Sequence, residues 1–434
     1  MKEELVDFSL SKETGIEREK APSSWEVVTS HSFIEDPQTR EKIVQFHKEQ
    51  LTEEEILEIL EKGEPEFIGV IDDILPNIEQ HQNLVVFYVV AIKHNNKRVY
   101  WVFKPFLGEG IGKVYEFYMY SGPLGNYQGI RSHIGSAKIK EWEGVAYYPR
   151  EVFAYLLSDY LRWNLVPPTV LRTIKGKYPV YRGYYEKPED LIYEEKESIG
   201  ALQLFLDYET GRQYQSHNER SAVIKLLSEN PELLFKCAVF DFLLQTISRH
   251  WDDYLVKQRD EILDIKLIDH GNSMLSTTEQ PLEFMRSVFL NLFGRLNLFQ
   301  SIFKNTEILE KFETYEEAIN SYPALKEFGI LKEVFGNIKK LYKIIKEIKD
   351  GKHKWINNII KDLERLKNSK NEFGVRIENL GLFGYIQHEN QEIRLITEED
   401  LNGFWQRLDL LLKYLPQGII PVKSTKAGLV TFND

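Results

Sequence analysis

The sequence predicts an α+β protein in two parts, with strands gathered in the first half and helices in the second. Three observations carry this. Residues 67–104 are dense in β-branched and aromatic side chains, broken by turn signals. From residue 221 onward, apolar positions recur mainly at helical spacing. The two patterns are segregated along the chain, which indicates α+β and not a doubly wound sheet.

The elements follow in order. Residues 1–39 are polar and charged with no sustained period and predict a loose arm or docking segment. A helix is predicted over 40–61, where Thr52 and Glu55 have capping-box spacing and Gly63 is a stop signal. Strands are predicted at 67–75 (FIGVIDDIL), 84–93 (LVVFYVVAIK) and 98–104 (RVYWVFK), with Asn95-Asn96 as a hairpin turn. Lys104 closes the last of these before Pro105. Such a lysine either snorkels to the surface or projects into a cleft and holds a phosphate as a point charge.

Residues 108–135 are rich in glycine and tyrosine but fit neither a Walker loop nor a dinucleotide fingerprint, so they read as a mobile insertion. A helix is predicted over 149–162 (PREVFAYLLSDYLR), with Pro149 in its first turn and Val152, Tyr155, Leu156 and Leu157 on one face. Glu151 sits where the helix dipole favours an anion. Strands at 170–172 and 178–181, an acidic loop at 186–197 and a buried strand at 200–206 (GALQLFL) complete the first half.

Helices are predicted at 221–228, 231–246, 282–303, 315–321, 331–368 and 398–415, with a strand-like patch at 381–386. Residues 332–370 carry 12 Lys/Arg against 5 Asp/Glu, with Ile338, Leu341, Ile345 and Ile348 at helical spacing. That face offers a surface for peripheral membrane contact or acidic partners. Packing against the second half of the chain is the more ordinary use of an amphipathic helix.

Composition excludes several classes. The 434 residues, 42% of them hydrophobic and 13% aromatic, suffice for two domains or one two-lobed unit with an extension. A formal net charge of -12 argues against coating by nucleic acid, so no nucleic-acid partner is expected. The one cysteine, Cys237, lies in an apolar run (LLFKCAVFDFLL), which predicts a buried structural thiol and no intramolecular disulfide. The opening MKEELVDFSL carries acids where a signal peptide is basic, and the longest apolar run, 84–92, is about half a membrane span. These features predict a cytoplasmic protein without a transmembrane segment.

The densest chemistry lies in residues 240–274, FDFLLQTISRHWDDYLVKQRDEILDIKLIDHGNSM. A helix end leads into a loop bearing Ser248, Arg249, His250, Asp252 and Asp253, then a short hairpin, then Asp269-His270-Gly271-Asn272. The hairpin is too short to separate the two acidic loops, an arrangement suited to magnesium, which takes one or two carboxylates together with phosphate oxygens. Two ordinary polar turns are the alternative.

Taken in order, a lysine ending a strand (WVFKP), a glutamate opening a helix (PREVFAYLLSDYL), a linking strand (GALQLFLD), the SRHWDDYL loop and the LIDHGNSM loop resemble the phosphatidylinositol 3-/4-kinase-like branch of the protein-kinase-like superfamily. The resemblance is greatest to bacterial members with a VxKP strand, a REVAAYL helix, a VPPTVLR segment and a DHG loop; residues 165–172 here are LVPPTVLR. It covers about 66–274. It implies a two-lobed kinase-like fold: an arm and helix at 1–65, an N-lobe at 66–206, a C-lobe at 207–310 and a helical extension at 311–434.

The resemblance also implies ATP and magnesium as cofactors. Lys104 would contact the α/β-phosphates, Glu151 would pair with it, and Gln203, Leu204 and Phe205 would form the hinge facing adenine. Asp269 would hold magnesium, with Asp253 at the second ligand position. The family loop reads D-R-H/K-x-x-N/H; Arg249 and His250 match it, but Ser248 stands where the catalytic aspartate does. Nucleotide binding therefore follows more directly than phosphoryl transfer. His250, with an ordinary pKa near neutrality, and Asp252 remain as catalytic candidates in the loop.

Three functions are consistent with these residues. The first is a kinase-like phosphotransferase acting on a protein or small-molecule acceptor. The second is a non-catalytic, nucleotide-gated scaffold. The third is a metal-dependent hydrolase using His250, Asp252, Asp253, Asp269 and His270.

Overall fold

A computed structural model describes residues 24–38, 40, 42–71, 87–108, 118–119, 132–133, 145–180, 192–218, 222–246, 249, 251–259, 262–271, 273–274, 312–321, 323, 332–388, 391–417, 422–424 and 430–432. The chain divides into two compact units. The first comprises Met1–Lys113, Glu143–Tyr208 and Arg376–Leu395; the second comprises Val114–Trp142, Glu209–Val375 and Ile396–Asp434.

The first unit contains strands β1 (Trp25–Glu35) and β2 (Lys42–Leu51), helix α1 (Glu53–Lys62), and strands β3 (Glu64–Val70), β4 (Tyr88–His94) and β5 (Lys97–Pro105). Helix α2 (Tyr148–Leu161) and strands β6 (Thr169–Val180) and β7 (Ile192–Leu204) follow. Five strands form one antiparallel sheet in the order β3-β4-β5-β7-β6. Asn95 and Asn96 turn β4 into β5 with φ of 47° and 64°, the left-handed pair that a two-residue hairpin needs.

Both faces of β4 and β5 are buried. On one face Val89, Ala91 and Tyr100 meet Val28 of β1 and Phe205, with Phe46 of β2 packed beside them. On the other, Tyr88 stacks edge-on with Tyr178 at 5.6 Å. Helix α2 packs on β6 and β7. Burial on both sides explains why 88–92 reads as a continuous apolar run and not as an alternation.

Gly200 of β7 shows how tightly β5 and β7 meet. A Cβ there would lie 2.4 Å from the Lys104 carbonyl and 2.8 Å from the Pro105 Cα. Only glycine permits that approach without moving backbone.

The second unit contains β8 (Glu209–Thr210), α3 (Gly211–His217), α4 (Ala222–Glu229), α5 (Pro231–Leu244), β9 (Tyr254–Arg259) and β10 (Ile262–Leu267). Helices α6 (Tyr315–Ser321), α7 (Lys332–Lys349) and α8 (Lys354–Asn368) follow. Helix α9 (Lys370–Asn379) crosses from the second unit into the first, which also receives the hairpin of β11 (Tyr385–His388) and β12 (Gln391–Arg394). Helix α10 (Glu398–Tyr414) returns to the second unit.

Helix α5 is the centre of the second unit, with Leu234, Phe235 and every residue from Cys237 to Leu244 buried. Helix α8 turns Ile356, Ile359, Leu363 and Leu366 inward, and Trp355 meets Phe235 edge-on at 5.1 Å. The apolar face of α8 is thus spent inside the protein. The side chains of Ile338, Leu341, Ile345 and Ile348 lie outside the described residues. Among the described residues, no helix is long and apolar enough to cross a membrane.

Several sequence expectations are corrected. Within the expected arm, Trp25–Glu35 is a strand, and the first half of the expected helix at 40–61 is its partner strand, with Trp25 opposite Leu51. Only Glu53–Lys62 is helical, and its capping box forms: Glu55 N donates to Thr52 Oγ1 at 3.2 Å and Thr52 N to Glu55 Oε2 at 2.8 Å. The strand expected over 67–75 ends at Val70.

The expected strands at 170–172 and 178–181 are one strand, and residues 192–197 of the expected acidic loop belong to β7. The helix expected over 331–368 is broken at Gly351, whose φ is +70°. Helices α3 and α9 were absent from the expectation. The expected helix at 282–303 and, apart from Gly108 and two short strands, the glycine-rich insertion lie outside the described residues.

Candidate functional site

Two clusters carry the chemistry, one in each unit. In the first, β5 delivers Lys104 and the opening turn of α2 delivers Glu151. Lys104 Nζ donates to Glu151 Oε1 at 2.6 Å, and the two side chains are 9% and 3% exposed. The ammonium also lies 5.3 Å over the Phe87 ring. Lys104 therefore points inward and does not snorkel. Glu151 Oε2 has no hydrogen-bond partner among the described residues.

Desolvating two charges offsets most of what their attraction returns, so such a pair is poor value as a stability device alone. A lysine held inward at the end of a strand by a helix-borne carboxylate is instead a preorganised cation.

Gln203, Leu204 and Phe205 end β7. Gln203 is opposite Thr169 in the ladder, and its Nε2 donates to Thr169 Oγ1 at 3.0 Å. Leu204 N donates to Pro168 O at 2.8 Å and Phe205 N to Tyr100 O at 3.1 Å. These N–H groups serve the sheet, and the Phe205 ring lies in the core 5.2 Å from Phe46. Asp207, two residues on, pairs with Lys48 of β2.

In the second unit Arg249 is the organiser. It is fully buried and its Nη2 reaches Asp241 Oδ1 of α5 at 2.9 Å. Nη1 donates to Asp253 O at 3.3 Å and also to Ile268 O. Burial opposes the charge of Arg249, but Asp241 and Asp253 outweigh it and raise its pKa above the ordinary arginine value. Nη2 also faces His270 Nδ1 at 3.3 Å. A guanidinium can only donate, so Nδ1 accepts, and His270 carries its proton on Nε2, 3.3 Å from Leu267 O. His270 is thus a neutral, buried brace.

The β9–β10 ladder pairs Tyr254 with Leu267 and continues one step through Ile268 N to Asp253 O at 2.9 Å. Asp253 and Asp269 therefore flank the same end of this hairpin, one carboxylate on each chain. Asp253 is buried, while Asp269 is half-buried and left-handed at φ +57°. Asp252 is held by Arg212 of α3 at 2.6 Å. Among the described residues, no group of three or more His, Cys, Asp or Glu is placed to hold a metal by itself. Two hard carboxylates completed by phosphate oxygens fit magnesium, which keeps few protein ligands. Ser248 and His250 lie outside the described residues.

Sequence reading matched Arg249 to the family loop without finding its partner, and missed two further arginines, Arg150 and Arg407. Arg249 closes on Asp241, whose signal was an aspartate inside an apolar helix. Arg150 donates to Ala146 O at 2.7 Å and Leu395 O at 3.3 Å. Arg407 of α10 donates to Leu243 O at 2.8 Å and Gln245 Oε1 at 3.1 Å, capping the end of α5; burial lowers its pKa to about 9 despite Asp400. The Leu395 partner of Arg150 and both partners of Arg407 are distant in sequence and left no local signal.

No family model matches the chain, and no curated protein matches it. The chain is similar to a solved crystal structure of the Golgi casein kinase with Mn/ADP bound, at 13% identity and a TM-score of 0.32, over 77% of this chain and 70% of that one. A second crystal structure of the Golgi casein kinase is similar at 16% identity and a TM-score of 0.26, over 60% of this chain and 67% of that one. These likenesses assign no family and no activity.

Proposed function

We propose that this protein binds ATP with a divalent cation in the manner of protein kinases and transfers its terminal phosphoryl group to a protein or small-molecule acceptor. The observation that carries the reading is the buried Lys104–Glu151 pair, joining the third strand of the five-stranded sheet to the helix that follows it. Protein kinases require a lysine on the third strand of the N-lobe paired with a helix glutamate, and the lysine serves the phosphates.

In this reading Lys104 holds the α/β-phosphates as a point charge and Glu151 keeps it aimed. Asp253 and Asp269 are the residues that would hold magnesium, which supplies charge neutralisation on the phosphates when bound. Arg249 and His270 keep the two aspartate-bearing loops in register. The adenine-facing hinge of this reading is formed by Gln203, Leu204 and Phe205, where the N–H groups of Leu204 and Phe205 are already used within the sheet. Placement in the phosphatidylinositol 3-/4-kinase-like branch rests on the VPPTVLR and KLIDHG motifs, and lipid specificity does not come with it.

A second reading is a nucleotide-gated scaffold with impaired transfer. Ser248, at the position of the family's catalytic aspartate, favours it, since a neutral hydroxyl orients an acceptor hydroxyl weakly. Mg-ATP should raise the melting temperature of wild type, because a ligand that binds only the folded state stabilises it. Incubation with γ-labelled ATP then separates the readings. Transferred label supports the phosphotransferase; binding without transfer, with transfer gained by Ser248→Asp, supports the scaffold. No melting response at millimolar Mg-ATP would remove both.

A further inference from the structure

We propose that the returning segment Arg376–Leu395 is an internal clamp on α2, and that Arg150 is the positioning residue through which it holds the Lys104–Glu151 pair closed. The proposal rests on the nucleotide-binding reading above. Arg150 immediately precedes Glu151. Successive helical residues diverge by about 100°, so the two side chains serve different faces of the helix. Glu151 meets Lys104, while fully buried Arg150 spans Ala146 O and Leu395 O, the latter 245 residues away.

Two backbone links reinforce the guanidinium. Val145 forms a parallel bridge with Arg394, and Ala146 N donates to Arg394 O at 2.9 Å. Leu395 N donates in turn to Gly384 O at 2.9 Å, closing the base of the β11–β12 hairpin. Ile393 and Leu395 are buried, so the clamp has its own core anchor. The entry to α2 is therefore fixed by chain that follows β7 by nearly two hundred residues and belongs to the same unit.

The functional consequence follows from geometry. A 2.6 Å ion pair between a strand and a helix tolerates little rotation or retreat of that helix. In kinases the position of this helix is a control point. Releasing Leu395 and Arg394 would free the turn that carries Glu151 without touching Lys104 or either aspartate loop.

The test uses the full chain. In nucleotide-free hydrogen exchange, Arg150→Met should speed exchange in both 148–161 and 385–395, whereas loosening confined to one of the two segments overturns the clamp. If Arg150→Met does not fold, wild type decides alone: Mg-ATP should slow exchange in both segments, and protection of 148–161 with none at 385–395 overturns it. In the folded variant the dissociation constant for Mg-ATP should rise about tenfold, a typical coupling between linked sites. Arg150→Lys, which keeps a donor for one carbonyl, should recover part of that loss. Unchanged affinity in a folded Arg150→Met overturns the positioning role. Wild type that binds no Mg-ATP overturns the nucleotide reading and not the clamp, which the nucleotide-free exchange decides by itself.

Discussion

Lys104 Nζ and Glu151 Oε1 sit 2.6 Å apart with both side chains almost wholly out of water. Removing one partner of such a pair leaves an uncompensated buried charge. Lys104→Met should therefore lower stability by about 3 kcal/mol, while Lys104→Met with Glu151→Leu should return most of it. Denaturant unfolding of the single and double variants gives the numbers. A single variant as stable as wild type would mean that water reaches the pair and that Lys104 is an ordinary surface lysine. Neither variant should keep the Mg-ATP melting response.

Gly200 has no room for a methyl group beside the Lys104 carbonyl. Gly200→Ala must displace backbone in β5 or β7, at about 2 kcal/mol by comparison with other overpacked sites. Either shift disturbs the β5–β7 contact beside Lys104, so nucleotide affinity should fall together with the melting temperature. A variant that loses stability and keeps full affinity would show that the strain is absorbed away from Lys104.

Asp269 occupies left-handed backbone, which alanine adopts at a cost of about 1–2 kcal/mol and asparagine adopts with ease. Asp269→Asn is therefore the clean probe. It should leave the nucleotide-free melting temperature near wild type and abolish the magnesium dependence of ATP binding. Unchanged magnesium dependence would move the metal site away from the hairpin end.

His31 of β1 pins the first hairpin to the sheet through a 3.0 Å hydrogen bond between its Nδ1 and the Tyr100 hydroxyl. Burial, with Arg98 nearby, lowers its pKa below the ordinary 6.5. The fold thus prefers the neutral ring. This contribution to stability is complete above pH 6.5 and is lost as pH falls through the lowered folded value. His31→Gln should flatten the stability profile between pH 7 and 5 without changing it at pH 8. An unchanged acid limb in the variant would assign it to other groups.

Much of this protein was legible locally. Thr52 and Glu55 announce the start of α1, Asn95-Asn96 the hairpin, and Pro149 the opening of α2, because caps, turns and first-turn prolines are decided by neighbours within four residues. The order of the lysine, the glutamate and the two aspartate loops was legible for the same reason: each is marked by the strand or helix end beside it. What tertiary structure decided is everything set by distant partners. Residues 42–51 have an apolar pattern that suits a helix, yet pair with Trp25–Glu35 because that hairpin covers one face of the sheet. Nothing near Arg150 in the chain indicates Leu395, and nothing near Leu243 indicates Arg407. Buried carbonyls at the entry of α2 and the end of α5 require donors, and only the folded chain brings those arginines to them.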